Sequence, residues 1–207
     1  MLGLYRKILG HPFVYDQVRP RVVGGIDMGP LYRRLEGAAE KAVLDVGCGT
    51  GDALNHLHGY ERYLGIDTDP IAIGAARQRH GQKPNVRFEE RLLEEGDVRD
   101  LEPTGVVLAG VLHHLDNEAA VAVLRLAATS PRLVRIVTSD IVFLPGMVFN
   151  NVLAMMDRGR HCRTPDAYAE VARKAGLEVV SGELMCSSPG NEKVQYHVMT
   201  LRPRKAS

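Results

Sequence analysis

The sequence has few cysteines, no excess of charge of either sign and no long apolar run. None of its three cysteines, Cys48, Cys162 and Cys186, forms the close CxxC pair that is typical of a zinc site. Because three cysteines cannot pair completely, a reducing, cytoplasmic compartment is expected. The 26 Lys and Arg residues nearly balance the 25 Asp and Glu residues. We therefore expect neither nucleic acid nor an anionic membrane surface as a partner.

The longest apolar stretch, residues 141–149, is interrupted by Pro145 and Gly146. It is far shorter than the ~20 residues that a membrane span needs. At the N-terminus, Arg6 and Lys7 stand where the apolar part of a signal peptide would begin. With 207 residues, 45% of them hydrophobic, the chain is expected to form one domain with a substantial core.

Apolar strand patterns alternate with helical patterns from residue 42 onward. Strands are predicted at 42–46, 63–66, 85–89, 106–109 and 133–138, and the helices between them at 53–58, 70–79 and 118–128. This alternation predicts a doubly wound α/β sheet with helices on both faces. A helix from Pro165 to about Gly176 is followed by strands at 177–181 and 194–201, whose short connection favours an antiparallel pair at one sheet edge.

A glycine-rich loop, Gly47-Cys48-Gly49-Thr50-Gly51, follows the first strand. Its spacing is GxGxG and differs from the GxGxxG fingerprint of dinucleotide-binding proteins. Asp45, two residues before the first glycine, would repel a pyrophosphate but suits a ligand with a cationic group. About 20 residues after the loop, Asp67 ends the second strand, where an acid is placed to accept both hydroxyls of a ribose. Asp69 precedes Pro70 and is predicted to cap the next helix.

These residues, together with Gly110-Val111-Leu112-His113-His114-Leu115 after the fourth strand, resemble the class I S-adenosylmethionine-dependent methyltransferases. The likeness is to the small-molecule branch and extends over residues 42 to about 138. It implies a Rossmann-like, seven-stranded sheet that is mostly parallel, with an antiparallel last strand. It also implies S-adenosylmethionine as the cofactor.

The resemblance also implies where the cofactor lies. The methionine portion would follow the backbone of the glycine loop, with its ammonium group near Asp45. The ribose would bind Asp67. The complete set of cofactor-binding residues expected from the resemblance is Asp45, Gly47, Cys48, Gly49, Asp67, Thr68, Leu92, Ala109 and Gly110.

Two positions depart from the family pattern. At the start of the fourth strand Thr104-Gly105 stands where the family usually has Phe-Asp. After the third strand the family usually has an acid that meets the adenine amino group, and Arg91-Leu92-Leu93 stands there instead. Either Glu89 or Glu90 substitutes from a shifted register, or backbone groups near Leu92 hold the adenine.

Methyl transfer from a sulfonium requires chiefly alignment and exclusion of water. His113 and His114 are candidates for a general base or for orienting the acceptor. The alternative is that they pack on the cofactor or on a covering helix. Because no third ligand stands at a useful spacing, no metal is predicted. Some related enzymes, including the phosphoethanolamine type, close a covering segment with a tyrosine–histidine hydrogen bond, which would correspond to Tyr15, or less favourably Tyr5, with His114.

Two segments are expected to cover the acceptor within this single domain of residues 1–207. They are an N-terminal cap, residues 1–35, and a lid insertion, residues 141–163, with a helix at 149–156. The basic run 157–163 and nearby apolar residues predict a lid with a cationic rim and an apolar wall. Arg160 is the candidate for binding an anionic acceptor. The alternative is a solvated helix end.

The leading hypothesis is methyl transfer to a small-molecule acceptor at O, N or C. One alternative is a protein that binds S-adenosylmethionine without transferring methyl groups, which the departures at Leu92 and Thr104 favour. A nucleic-acid methyltransferase is disfavoured by the neutral charge and the lack of an Asn/Asp-Pro-Pro-Tyr/Phe motif. A nicotinamide-dependent oxidoreductase is disfavoured by Asp45 and the glycine spacing.

Overall fold

The computed structural model describes residues 28–38, 41–157, 160–186 and 192–204. The strands are β1 (Ala42–Val46), β2 (Arg62–Asp67), β3 (Val86–Glu90), β4 (Gly105–Ala109), β5 (Arg135–Ile141), β6 (Leu177–Cys186) and β7 (Gln195–Pro203). The α-helices are α1 (Gly29–Arg33), α2 (Pro70–His80), α3 (Glu95–Leu101), α4 (Asn117–Ala127), α5 (Val148–Met156) and α6 (Pro165–Lys174). Short 3₁₀ helices lie at Asp52–Asn55 and Leu112–His114. Within the described residues, no helix has both the length and the apolar character needed to cross a bilayer.

The seven strands form one sheet in the order β3-β2-β1-β4-β5-β7-β6. Strands β1 to β5 pair in parallel, and β7 runs antiparallel to both of its neighbours. This arrangement confirms the predicted mostly parallel, seven-stranded sheet with an antiparallel last strand. It also confirms the antiparallel pair at one edge, where β6 is the outer strand.

The central strands are apolar on both faces because helices cover both sides of the sheet. Alternating residues of β1 and β4 point into two separate cores. Leu44 and Val106 belong to the core that contains Leu124 of α4. Val43 and Val107 belong to the core on the other face, which includes the residues Leu31 and Leu35 near α1. All of these side chains are fully or almost fully buried.

Local structure differs from the prediction at several places; strand β6, for example, extends to Cys186 rather than ending at residue 181. The expected helix over 53–58, capped by Asp52, is a 3₁₀ turn that begins after Gly51, whose φ is +79°. Helix α3 was not predicted from the sequence; it begins with a capping box between Glu94 and Asp97. Strand β5 continues to Ile141 rather than ending at residue 138, because its last residues pair with β7. Residue 140 is therefore in the sheet, and the lid begins only after Ile141.

Candidate active site

A cavity of about 730 Å³ opens at the carboxyl ends of β1, β2 and β4. The strand order reverses between β1 and β4, and ligands of open α/β sheets bind at such a reversal. One wall comes from the loops that follow the strands, including Gly47, Asp67 and Gly110. The opposite wall is apolar and comes from α4, with Val123 and Leu126 among its residues. A cavity of this size accommodates a ligand as large as a nucleoside.

The glycine loop is shaped by positive φ angles and by the neighbouring strand. The N–H groups of Gly47 and Cys48 both donate to the carbonyl oxygen of Ile66, at 2.7 and 3.1 Å. Gly47 has a φ of +71°, and a Cβ added there would lie 2.5 Å from Cγ2 of Val111. Gly49 has a φ of +51° but open space where a Cβ would stand. Gly47 is therefore required by both conformation and packing, whereas Gly49 is required by conformation alone.

Asp67 connects the glycine loop to the end of β2. Its Oδ2 accepts a hydrogen bond from the Gly49 N–H at 2.8 Å, and its Oδ1 accepts one from the Asp69 N–H at 2.9 Å. Each oxygen retains a lone pair that can accept a further hydrogen bond from the cavity side. Asp69 in turn accepts from the Ile71 N–H at 2.9 Å, which confirms it as the cap of α2.

Asp45 lies behind the cavity wall rather than in it. Its side chain is buried, and the hydroxyl of Tyr63 donates to its Oδ2 at 2.6 Å. Burial raises the pKa of the Asp45 carboxyl to about 7, although the Tyr63 hydrogen bond acts in the opposite direction. Asp45 is therefore poised to change its charge near neutral pH.

The side of the cavity predicted to hold adenine has no free acid among its described lining residues. Leu92 is 73% exposed and borders the cavity together with Leu93. Arg91 also borders it, but both of its terminal nitrogens bind the carboxylate of Asp97. Neither of the alternative acids contributes to the wall: Glu89 pairs with Arg87 at 3.0 Å, and Glu90 is exposed at the end of β3.

Further predicted cofactor residues occupy different depths around the cavity. Thr68 and Gly110 contribute to the wall. Ala109 is half-buried at the end of β4 and packs against the core beneath it. Cys48 is buried, and burial raises the pKa of its thiol well above the ordinary value.

The two adjacent histidines have different environments. His114 is exposed and lines the cavity. His113 is buried: its Nδ1 lies 2.8 Å from Asp140 Oδ1, and its Nε2 lies 3.2 Å from Asp157 Oδ1. Burial lowers the pKa of His113, but the two carboxylates outweigh burial and raise it to about 9. His113 therefore binds the lid at Asp157, and of the two predicted bases only His114 faces the cavity.

The lid is held to the loop after β4 by buried polar contacts. Arg163, which was predicted to be in the cationic rim, is buried and donates to the carbonyl oxygens of Leu112 and Leu115, each at 2.7 Å. It also donates to Asn117 Oδ1 at 2.9 Å. Arg160 is exposed, as expected for a rim residue. The anchoring roles of Asp140, Asp157 and Arg163 have no signal in the sequence.

The predicted apolar wall of the lid faces outward from α5. Phe149, Met155 and Met156 are exposed by 53%, 70% and 44%. Phe143 and Met147 instead pack partly against the cores. Tyr15, the proposed partner of His114, and the alternative Tyr5 lie outside the described residues, as does most of the proposed N-terminal cap.

Comparison with known proteins agrees with this architecture. Residues 43–132 match a family model described as a methyltransferase domain. No curated protein matches the chain at a significant level.

Solved structures with the same fold include several methyltransferases. Mitomycin 7-O-methyltransferase MmcR is 18% identical with a TM-score of 0.61 over 86% of this chain and 54% of its own. The O-methyltransferase NcsB1 from neocarzinostatin biosynthesis, in complex with S-adenosylmethionine and 2-hydroxy-5-methyl naphthoic acid, is 23% identical with a TM-score of 0.60 over 97% of this chain and 63% of its own. N-methyltransferase NodS from Bradyrhizobium japonicum is 17% identical with a TM-score of 0.65 over 85% of this chain and 93% of its own.

The chain spans about half the length of MmcR, and at these identities the three structures establish the fold alone. The sheet order and the glycine loop that precedes the acid of β2 agree with the match over residues 43–132. Over these residues the chain is similar to the class I S-adenosylmethionine-dependent methyltransferases.

Proposed function

We propose that the protein transfers a methyl group from S-adenosylmethionine to a small-molecule acceptor. The observation that carries this proposal is the cavity at the strand-order reversal, which Gly47, Asp67 and Gly110 border directly. These are residues of the same motifs that identify the family. The names of related structures, which include O- and N-methyltransferases, support a small-molecule acceptor.

The residues present fit this cofactor. The Asp67 carboxylate is held by two backbone N–H groups, so it is oriented before a ribose arrives and its remaining lone pairs can accept the two hydroxyls. The glycine loop offers backbone groups to the methionine portion. Asp45, behind the loop, supplies negative charge on the side of the ammonium group when it is ionised.

The adenine would bind in the apolar slot between Leu92 and α4. Burial of the exposed Leu92 side chain beneath a ring would contribute about 1.5–3 kcal/mol in place of the missing acid. Thr68 borders the same part of the cavity. In this proposal, backbone groups near Leu92 satisfy the polar edge of the ring, and apolar contact replaces the usual charged contact.

The acceptor would lie beside His114, which borders the cavity after β4. The bound sulfonium supplies an electrophilic methyl group, so the protein needs to align the acceptor and exclude water. Where the acceptor is a hydroxyl or a protonated amine, the His114 imidazole would accept its proton. Arg160 on the lid would orient an acceptor that carries an anionic group.

Calorimetry with S-adenosylmethionine tests the cofactor site. Binding is expected in the micromolar range, about 8 kcal/mol. Asp67→Ala should weaken it by about 1–3 kcal/mol because the ribose hydroxyls lose their acceptors. Asp52→Ala is the matched control, since Asp52 is exposed, follows the same loop and pairs only with Arg79 in the described contacts beyond the loop.

The acceptor class is tested by incubation with labelled S-adenosylmethionine and separate metabolite, lipid and tRNA fractions. Label is expected in the metabolite fraction. Label in tRNA alone would contradict a small-molecule acceptor. Cofactor binding without label in any fraction would favour the alternative of a binding protein without transfer activity.

A further inference from the structure

Three potential metal ligands meet at the base of the lid, where β4 and α5 both end. One nitrogen from each of His113 and His114 and one carboxylate oxygen from Asp157 all lie within 4.8 Å of one another. The two histidines belong to the 3₁₀ helix after β4, and Asp157 is the residue that ends α5. Residues more than 40 positions apart in sequence thus form one compact donor set.

The orientation of His113 suits a metal ligand. Its Nδ1 lies 2.8 Å from Asp140 Oδ1, and the same oxygen accepts the His113 backbone N–H at 3.1 Å. When the Nδ1–H donates a hydrogen bond to this carboxylate, the lone pair is on Nε2, which is the arrangement found behind many metal-binding histidines. Nε2 is buried and lies 3.2 Å from Asp157 Oδ1.

The spacing of these ligand atoms also suits an ion. His113 Nε2 and Asp157 Oδ1 are 3.2 Å apart. Two ligand atoms bound about 2.1 Å from one ion lie about 3.0–3.4 Å apart in octahedral or tetrahedral geometry. An ion would therefore bind with little movement of either side chain. The rings of His113 and His114 are already adjacent, with their centroids 4.1 Å apart.

We propose that His113, His114 and Asp157 bind a divalent transition-metal ion whose open coordination positions face the cavity. Two imidazoles and one carboxylate suit Zn²⁺, Mn²⁺ or Fe²⁺ better than Ca²⁺ or Mg²⁺. His114 borders the cavity, so an oxygen of the acceptor would complete the coordination. This role, but not the binding of metal itself, rests on the proposed function.

A metal at this position would orient the acceptor oxygen and lower the pKa of an acceptor hydroxyl. It would also join the lid to the loop after β4, because its ligands come from both. The competing arrangement is a proton in the same place: a protonated His113 between Asp140 and Asp157. The two arrangements differ in one testable respect, since only the metal requires His114.

The experiment uses the full-length protein stripped with a chelator and titrated with Zn²⁺ and Mn²⁺ by calorimetry. The proposal expects one ion per chain. His114→Ala and Asp157→Asn should each weaken binding by about tenfold or more. His161→Ala is the matched control, because His161 is an exposed histidine of the same lid outside the donor set. The affinity of this variant for the metal ion should be unchanged.

Loading with Co²⁺ gives a second readout, in which visible d–d absorption should appear in the parent protein and weaken in His114→Ala. Because His114 is exposed, this variant is expected to fold, and its melting temperature checks that it does. Absence of stoichiometric binding, or equal affinity in His114→Ala and the parent, would overturn the proposal. S-adenosylmethionine binding is measured on the same stripped protein, so a failed metal site and a failed cofactor site give different results.

Discussion

The cofactor side of the molecule and the lid side are built from residues with very different spacing in the chain. On the cofactor side, Asp67 binds the loop at Gly49, and both lie at the ends of adjacent parallel strands. On the lid side, His113 meets Asp140 and Asp157 from two other elements. The comparison teaches that the regular geometry of parallel strand ends makes the first site predictable from the sequence, whereas the second site depends on how the lid folds back onto the loop after β4.

The two sides also differ in what their charged residues do. Asp67 presents a carboxylate to the cavity and remains accessible to a ligand. Arg163 directs its charge into the protein, where backbone carbonyls accept all of its described hydrogen bonds except the one to Asn117. A cation in a basic lid segment is therefore not by itself evidence of ligand binding.

The largest effect is expected from the lid anchor. Arg163→Met would leave several buried acceptors unpaired and should lower the free energy of unfolding by about 3 kcal/mol. Arg160→Met, three residues away and exposed, should change it by less than about 0.5 kcal/mol. Urea denaturation measures both. Equal effects of the two substitutions would remove the distinction between anchor and rim.

On the cofactor side, the glycine loop should show a graded effect. Gly47→Ala places a Cβ against Val111 in a left-handed conformation and should destabilise the protein by about 2–3 kcal/mol. Gly49→Ala has open space and should cost only about 1 kcal/mol of conformational strain. Val111→Ala should partly rescue Gly47→Ala and leave Gly49→Ala unrescued. Thermal melts measure the stability of the single and double variants. If Val111→Ala rescued both Gly47→Ala and Gly49→Ala, a local steric cause at Gly47 would be contradicted.

Asp45 should make cofactor affinity depend on pH. Its folded pKa of about 7 lies above the ordinary carboxyl value. The folded state without ligand therefore binds more protons than the unfolded state, so this contribution to stability falls as pH rises from about 4 through 7. A cationic ligand favours the carboxylate, so cofactor affinity should rise over the upper part of the same range, by no more than about tenfold per pH unit. Calorimetry from pH 5.5 to 8 measures the affinity for S-adenosylmethionine, and Asp45→Asn should make that affinity nearly independent of pH.

The smallest effect is expected at the proposed latch between Tyr15 and His114. Tyr15→Phe should lower kcat by a few-fold, about 1 kcal/mol, and His114→Ala should lower it by at least as much, while cofactor affinity is retained. Because a broken latch cannot be broken twice, the double variant should lose less than the sum of the two. Additive losses in a double-mutant cycle would show that the two side chains act independently.

The elements that carry the cofactor motifs were predictable because their signals are local. Asp69 before Pro70 marks the start of α2, and the apolar run at residues 42–46 marks β1. Helix α3 was missed because its capping box involves Glu94 and Asp97 within a segment of low apolar periodicity. The end of β5 was missed because pairing with β7, more than 50 residues later, extends it.

The sequence by itself determined the sheet, the glycine loop and the acid that follows β2, since each depends on neighbours in the chain or on the regular geometry of parallel strands. Only the tertiary structure decided that His113 and His114, adjacent in sequence, face opposite environments. It also decided that Asp140 and Asp157 flank His113, and that Arg163 points inward. Such contacts depend on the path of the lid after β5 and over the loop that follows β4. The periodicity and spacing of residues do not encode this path.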